Sequence, residues 1–345
     1  MYIGFYNHTK QFNKNKMFTD PSSPIGDDLM YPFVFLGQYL KKLGHKINTI
    51  DMKDDFKKFD AVVFIDFPGF KNKYFQKLIK NNFRNIYLTT FESPIIKPDN
   101  LNLENHKYFK KIFTWSDELI DNKKYFKINY SHKIPSNLNF DLGKKKKLCT
   151  LIASNKSASH PLELYTERIK AIRWFENNHP EDFDLYGKGW DKHNFQGKFL
   201  GINLARLNRL KFLTKLLRPD YPSYKGEVKS KKKTYEKYKF SICYENVRDF
   251  KGYITEKIFD CFFGGCIPVY WGAQNITDHI PQNTFINKKK FKTYDELYKY
   301  IKNISDKDYL NYIDAINNFL KSSDAYPFSA GYFAKILSEE ITKTN

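Results

Sequence analysis

The chain has 345 residues, enough for about two domains at roughly 100–200 residues each. Hydrophobic residues make up 41% and aromatic residues 18%, which supplies a core and excludes long disorder. The 58 Lys and Arg against 38 Asp and Glu leave a formal charge of +20, which favours anionic partners.

In chain order, apolar runs predict strands at Met1–Tyr6, Lys46–Ile50, Ala61–Asp66, Asn85–Thr89 and Lys111–Trp115. Between them, Phe35, Leu36, Tyr39 and Leu40 recur at helical spacing over Tyr31–Lys42, with Gly44 as a C-cap, and Asn72–Lys80 predicts a second helix. Four lysines at 144–147 precede a new apolar strand, so the domain boundary is expected there: 1–145 and 146–345. The second half predicts a strand at Leu148–Ala153, a helix over about Leu162–Phe175 and a strand at Phe183–Tyr186. An irregular stretch, Asn194–Lys233, follows, then a strand at Phe240–Tyr244, a helix over Thr255–Phe263 and a strand at Cys266–Tyr270 that Pro268 weakens. This alternation predicts two doubly wound α/β domains with a ligand cleft at the carboxyl ends of their strands.

Cys149, Cys243, Cys261 and Cys266 form no CxxC pair, which argues for a reducing compartment. No run reaches the ~18–20 apolar residues of a spanning helix, and the N-terminus lacks a secretory pattern. The expectation is a cytoplasmic protein whose basic face can hold it peripherally on the inner face of an anionic membrane. The lysine runs at 144–147, 229–233 and 288–290 read most simply as solvated charge, and no nucleic-acid-binding motif accompanies them. Asp182-Phe183-Asp184 has the form of a divalent-metal pair, but alternation on a strand would put both carboxylates on one solvated face, so no metal site is assigned.

The most informative stretch is 240–273. A strand ends in Glu245-Asn246, Gly252 turns the chain, and Thr255 is placed to cap a helix whose first turn holds Glu256 and Lys257. A helix N-terminus with an added lysine suits a phosphate. Glu256 opposes one, and a ribose diol would explain it; a favourable charge on the helix dipole is the simpler alternative.

Glu245-Asn246, Tyr253-Ile254-Thr255-Glu256-Lys257, Ile267-Pro268-Val269 and Gly272 together resemble the signature of the α-1,3/1,4-fucosyltransferases, glycosyltransferase family 10. Leu148–Asn155 followed by Arg168, and Phe91-Glu92-Ser93-Pro94, resemble two further family segments. The resemblance implies a GT-B fold, two Rossmann-like domains facing across a cleft, and transfer of L-fucose from GDP-β-L-fucose to an oligosaccharide acceptor with inversion and no essential metal cofactor. It implies Glu92 as the base. On the donor side it implies Arg168 and Lys257 on the diphosphate, Tyr253 as a phenolic donor, Glu256 on the ribose and Asn246 on the diphosphate or sugar edge. Glu92 could instead be an exposed loop residue before Pro94, and Arg168 a solvated helix residue beside Glu163 and Glu167. A different GDP-sugar, or a binding protein without turnover, are the alternatives. Acceptor choice is expected in loops 7–28, 66–75 and 195–235.

Overall fold

The computed structural model describes residues 1–22, 27–52, 58–138, 140–193, 195, 198–199, 202–217 and 219–343. Parts of two expected acceptor loops, 23–26 and several positions between 194 and 218, lie outside them.

The first half contributes β1 (Tyr2–Tyr6), α1 (Tyr31–Lys42), β2 (Lys46–Thr49), β3 (Ala61–Ile65), α2 (Lys73–Lys80), β4 (Ile86–Thr90), α3 (Leu103–His106), β5 (Lys111–Thr114) and β6 (Tyr125–Lys127). These strands form a parallel six-stranded sheet in the order β2-β1-β3-β4-β5-β6. The second half adds β7 (Lys147–Ile152), α4 (Tyr165–Asn178), β8 (Phe183–Tyr186), a small antiparallel pair β9 (Lys198–Phe199) and β10 (Ile202–Asn203), α5 (Lys211–Leu216), α6 (Lys231–Tyr235) and β11 (Tyr238–Tyr244). Then come α7 (Glu256–Phe263), β12 (Ile267–Trp271), β13 (Ile286–Asn287), α8 (Tyr294–Asn303), α9 (Asp306–Lys321) and α10 (Ala330–Thr342). Its main sheet is parallel, in the order β13-β12-β11-β7-β8. The expected pair of doubly wound α/β units is present.

The strands are apolar because both faces are covered. Val62, Val63 and Phe64 are fully buried in β3, and Phe240, Ser241 and Ile267 in β11 and β12. Pro268 is tolerated because the ladder to β13 begins only at Val269, so its missing N–H interrupts nothing on that side. Each sheet has a switch point where strand order reverses, between β1 and β3 and between β7 and β11. Crevices open at such points, outside the carboxyl ends of the strands.

The expected boundary at 145/146 falls between β6 and β7, but α10, which that division gave to the second half, packs with the first. Phe333, Ala334, Leu337 and Ile341 are buried in the cluster of Phe33, Leu36 and Leu40 from α1. The chain crosses back where the His132 backbone pairs with Phe328 and Ala330. Polar contacts also join the halves: the Asp117 carboxylate meets His279 at 2.8 Å and Asn275 at 2.9 Å, and the Trp115 ring lies 4.8 Å from Tyr253. The halves therefore touch directly beside the cleft, which Tyr253 also lines.

The lysine runs are not uniformly solvated. Lys145 is buried and donates to the Tyr235 and Gly264 carbonyls, and Lys288 is buried and donates to that of Phe291. Lys231 is drawn into the cleft. Each ammonium keeps its hydrogen bonds, the condition on which a buried charge survives. Asp182 and Asp184 are likewise not a shared solvated face. Asp184 is buried and accepts from Tyr238 at 2.6 Å, with Lys147 at 3.2 Å, while Asp182 accepts from Tyr298 at 2.8 Å.

Candidate active site

The carboxyl ends of both sheets open on one cavity of about 530 Å³. Its lining includes all six residues singled out from the sequence: Glu92, Arg168, Asn246, Tyr253, Glu256 and Lys257. A volume of this order suits a small-molecule ligand.

On the first-sheet wall, Asp66 ends β3 in the left-handed region at φ 57. Its Oδ1 accepts from the Phe91 N–H at 2.8 Å, the Glu92 N–H at 3.1 Å and the Asn100 amide at 2.7 Å. Asn100 in turn accepts from the Phe67 N–H at 2.8 Å. This knot fixes the loop after β4 and so the Glu92 backbone. Among the described residues no hydrogen bond uses the Glu92 carboxylate. Burial, then the negative charge of Asp66, raises its pKa above the ordinary 4.5, with Lys156 and Lys257 partly offsetting them. Glu92 is thus neither a freely exposed loop residue nor a structural ion-pair member. Its state is that of a carboxylate with raised proton affinity and no partner of its own among the described residues.

On the second-sheet wall, the segments of the sequence motif bind one another. Glu245, fully buried at the end of β11, accepts from the Thr255 N–H at 2.8 Å, the Thr255 hydroxyl at 2.6 Å and the Lys257 ammonium at 3.1 Å. Gly272 is needed beside it, since a Cβ there would come within 2.4 Å of Glu245 Cγ. The expected Thr255 cap is corrected by this arrangement. Thr255 occupies the N-cap position of α7, but its hydroxyl donates to Glu245 and accepts from the Lys257 ammonium at 2.9 Å, and it caps no backbone N–H of the helix. The first turn of α7 therefore lacks a Thr cap; the Glu256 N–H turns to its own carboxylate, and the N–H groups after it are left for another acceptor.

Glu256 lies 3.8 Å from Lys257 and 3.9 Å from Lys231. Burial alone would raise its pKa, but the two ammonium groups overcome that and bring it down to about 2. Lys231 also contacts Asp260 at 2.7 Å. Burial pushes Asp260 up to about 6 even beside that lysine, because Glu256 shares the same cation and repels it. Lys257 stays protonated: Glu245 and Glu256 more than offset the cost of burying it, so its pKa lies above the usual lysine value.

Two expected ligand contacts are revised. Arg168 is buried, and its Nη2 donates to the Tyr244 and Glu245 carbonyls at 2.6 and 2.8 Å and to Asn246 Oδ1 at 3.1 Å. It clamps the end of β11 and is neither a solvated helix residue nor a fully free phosphate fork. The Tyr253 hydroxyl is buried and has no hydrogen-bond partner of ordinary geometry among the described residues, and burial pushes its pKa well above the usual tyrosine value. Its ring packs on Trp115, so it serves the contact between halves as well as lining the cleft.

Sequence reasoning missed Asp66, Glu245 and Lys231 as members of the site. Glu245 stands in the Glu-Asn pair of the family signature, but the sequence assigns it no contact in the site. Lys231 was hidden in a lysine run, and Asp66 had only its place after a buried strand. Of the expected acceptor loops, 7–28 and 195–235 contribute cavity residues (Asn7, Thr9, Lys229), while 66–75 contributes only Asp66. Gly187 and Lys188 also line the cavity, where Gly187, at φ 126, lies so close to Ala153 O that a Cβ would stand 2.0 Å from it.

The family model for glycosyltransferase family 10 (fucosyltransferase) C-term matches residues 142–323, more than half of the chain. The chain belongs to glycosyltransferase family 10. Among its relatives, the Helicobacter pylori protein alpha-(1,3)-fucosyltransferase FucT is 41% identical over 75 residues, 22% of this chain and 16% of that protein. An Arabidopsis thaliana alpha-(1,4)-fucosyltransferase is 33% identical over 93 residues, 25% of this chain and 23% of that protein. The matched stretches thus span less than a quarter of either relative. A solved alpha1,3-fucosyltransferase superposes with a TM-score of 0.55 at 16% identity, covering 100% of this chain and 91% of that one. A DNA-modifying beta-glucosyltransferase gives 0.60 at 11% identity, covering 99% and 100%. At these identities the likeness is one of fold, and the fold of this family 10 chain is GT-B.

Proposed function

We propose that this family 10 chain transfers L-fucose from GDP-β-L-fucose to a hydroxyl of a glycan acceptor, with inversion at the fucose carbon and formation of an α-1,3 or α-1,4 link. The observation that carries the reading is the pairing across one cavity of an uncommitted carboxylate, Glu92, with an uncapped helix N-terminus bearing Lys257. Supporting it, a solved alpha1,3-fucosyltransferase of the same fold was crystallised with GDP-fucose.

In this reading the diphosphate lies at the start of α7. Lys257 and the first-turn N–H groups take up the negative charge that grows as the sugar–phosphate bond breaks. Lys257 is pre-positioned by Glu245, so little reorganisation is needed. Arg168, which also lines the cavity, contributes by holding the Asn246 loop. Glu256, kept ionised, accepts from the ribose diol. Glu92 removes the proton of the attacking hydroxyl as the new bond forms on the face opposite the leaving group. The transition state has oxocarbenium character, as at other glycosidic centres. No acid is needed for a departing phosphate.

The test is to supply GDP-fucose, GDP-mannose and UDP-galactose separately, with a glycan array as acceptor, and follow nucleotide release and label transfer. Transfer from GDP-fucose alone supports the reading. Transfer only from GDP-mannose would move the proposal to another GDP-sugar, and indifference to all three would remove the enzymatic reading.

A further inference from the structure

The stretch between Asp191 and Asp220 contains no acidic residue. Within it, residues 204–217 form a short 3-10 turn, Leu204–Arg209, and helix α5. Large apolar side chains point outward there. Phe212 is 80% exposed, Leu216 65%, Leu210 54% and Leu217 49%, and Phe212 is the most exposed large hydrophobic residue among those described. Arg206, Arg209, Lys211 and Lys215 are exposed beside them, and no carboxylate among the described residues pairs with any of the four.

The element is seated on the protein. Asn208 exchanges two hydrogen bonds with the Phe195 backbone, at 2.8 and 2.9 Å. Thr214 is buried, and its carbonyl accepts from the His193 N–H at 2.7 Å. The inner face is thereby used for anchoring. Phe212 and Leu216, four residues apart, share the face that remains.

We propose that residues 204–217 are a docking element for an anionic bilayer surface. Large apolar side chains exposed together on one short element call for a partner. Interleaved cations without acids match a layer of phosphate headgroups, with Phe and Leu entering the acyl boundary below. Charge complementarity selects this occupant. A second copy would set these cations against themselves on a chain whose net charge is already +20, and a nucleic acid would leave the four apolar groups uncovered. No described helix is long and apolar enough to cross a membrane, so attachment through this element is peripheral. This inference does not depend on which nucleotide the cleft holds.

The full chain should be sedimented with phosphatidylcholine vesicles made with and without phosphatidylserine, at low and high salt. Binding only to the anionic vesicles, weakened by salt, is expected. Phe212→Ser with Leu216→Ser should lower partitioning by at least ~10-fold and leave the GDP affinity unchanged, because neither residue lines the cavity. Lys211→Gln with Lys215→Gln should weaken binding and flatten its salt dependence. Absence of sedimentation with anionic vesicles, or equal binding by the serine variant, overturns the proposal. So does a concentration-dependent dimer in gel filtration that the serine substitutions abolish, since that makes the patch an interface between copies.

Discussion

Glu92 on the first-sheet wall and Glu256 on the second line the same cavity, yet burial ends differently for them. Around Glu92 the available donors go to Asp66 and the loop backbone, and its own carboxylate has no hydrogen bond among the described residues, so desolvation raises its pKa. Around Glu256 two lysines stand within 4.0 Å, and its pKa falls to about 2. Partners decide the protonation state once both groups are partly withdrawn from water. A wall that withholds partners raises a carboxylate's proton affinity, and a wall that supplies cations keeps a carboxylate ionised.

The largest effect should come from breaking the saturated wall. Glu245→Ala leaves Lys257 and Thr255 without their shared acceptor, and loss of one partner from a buried pair costs about 3–5 kcal/mol. Denaturant unfolding should show a loss of that size. Glu92→Gln, by contrast, should leave the unfolding midpoint unchanged or slightly higher, because no protein hydrogen bond is lost. A comparable fall in both variants would erase the distinction between the walls.

Turnover should respond in the opposite sense. Glu92→Gln should lower kcat at least ~10²-fold while the donor affinity is retained. Near-wild-type turnover would take Glu92 out of the base role.

Lys231→Ala sharpens the account of the second wall. It strands Glu256 and Asp260 together, and GDP affinity should drop about tenfold, in keeping with loss of a partly buried charge contact. Asp260, already at about 6, should then hold its proton to higher pH, which a pH series of GDP titrations reads directly.

The smallest effects are in pH dependence. The base works ionised, so turnover should decline as pH falls through the raised pKa of Glu92, above the ordinary carboxylate value of 4.5. Glu256, held low, adds stability that is present above 4.5 and lost as pH falls toward 2. An activity limb at the ordinary carboxylate value would indicate that Glu92 is not desolvated.

Much of this was legible in the sequence because the strands are buried on both faces and so read as continuous apolar runs. Ala61–Ile65 is an example, and α1 was visible through its helical spacing. The Thr-Glu-Lys helix start and Glu92 were legible as chemistry at strand ends. What was not legible depends on long-range pairing. Glu245 meets Thr255 and Lys257 only through the tertiary turn at 246–254, and Lys231 reaches Glu256 only once α6 docks on α7. The return of α10 to α1 likewise leaves no local mark, since an amphipathic helix does not state which core it joins.

The most direct test is a calorimetric titration of GDP into the wild-type chain and into Lys257→Ala and Glu92→Gln. Saturable binding to the wild type and to Glu92→Gln, with a clear loss in Lys257→Ala, is the predicted result. Binding unaffected by Lys257→Ala, or no binding to the wild type, would contradict the assignment of the α7 N-terminus as the diphosphate site.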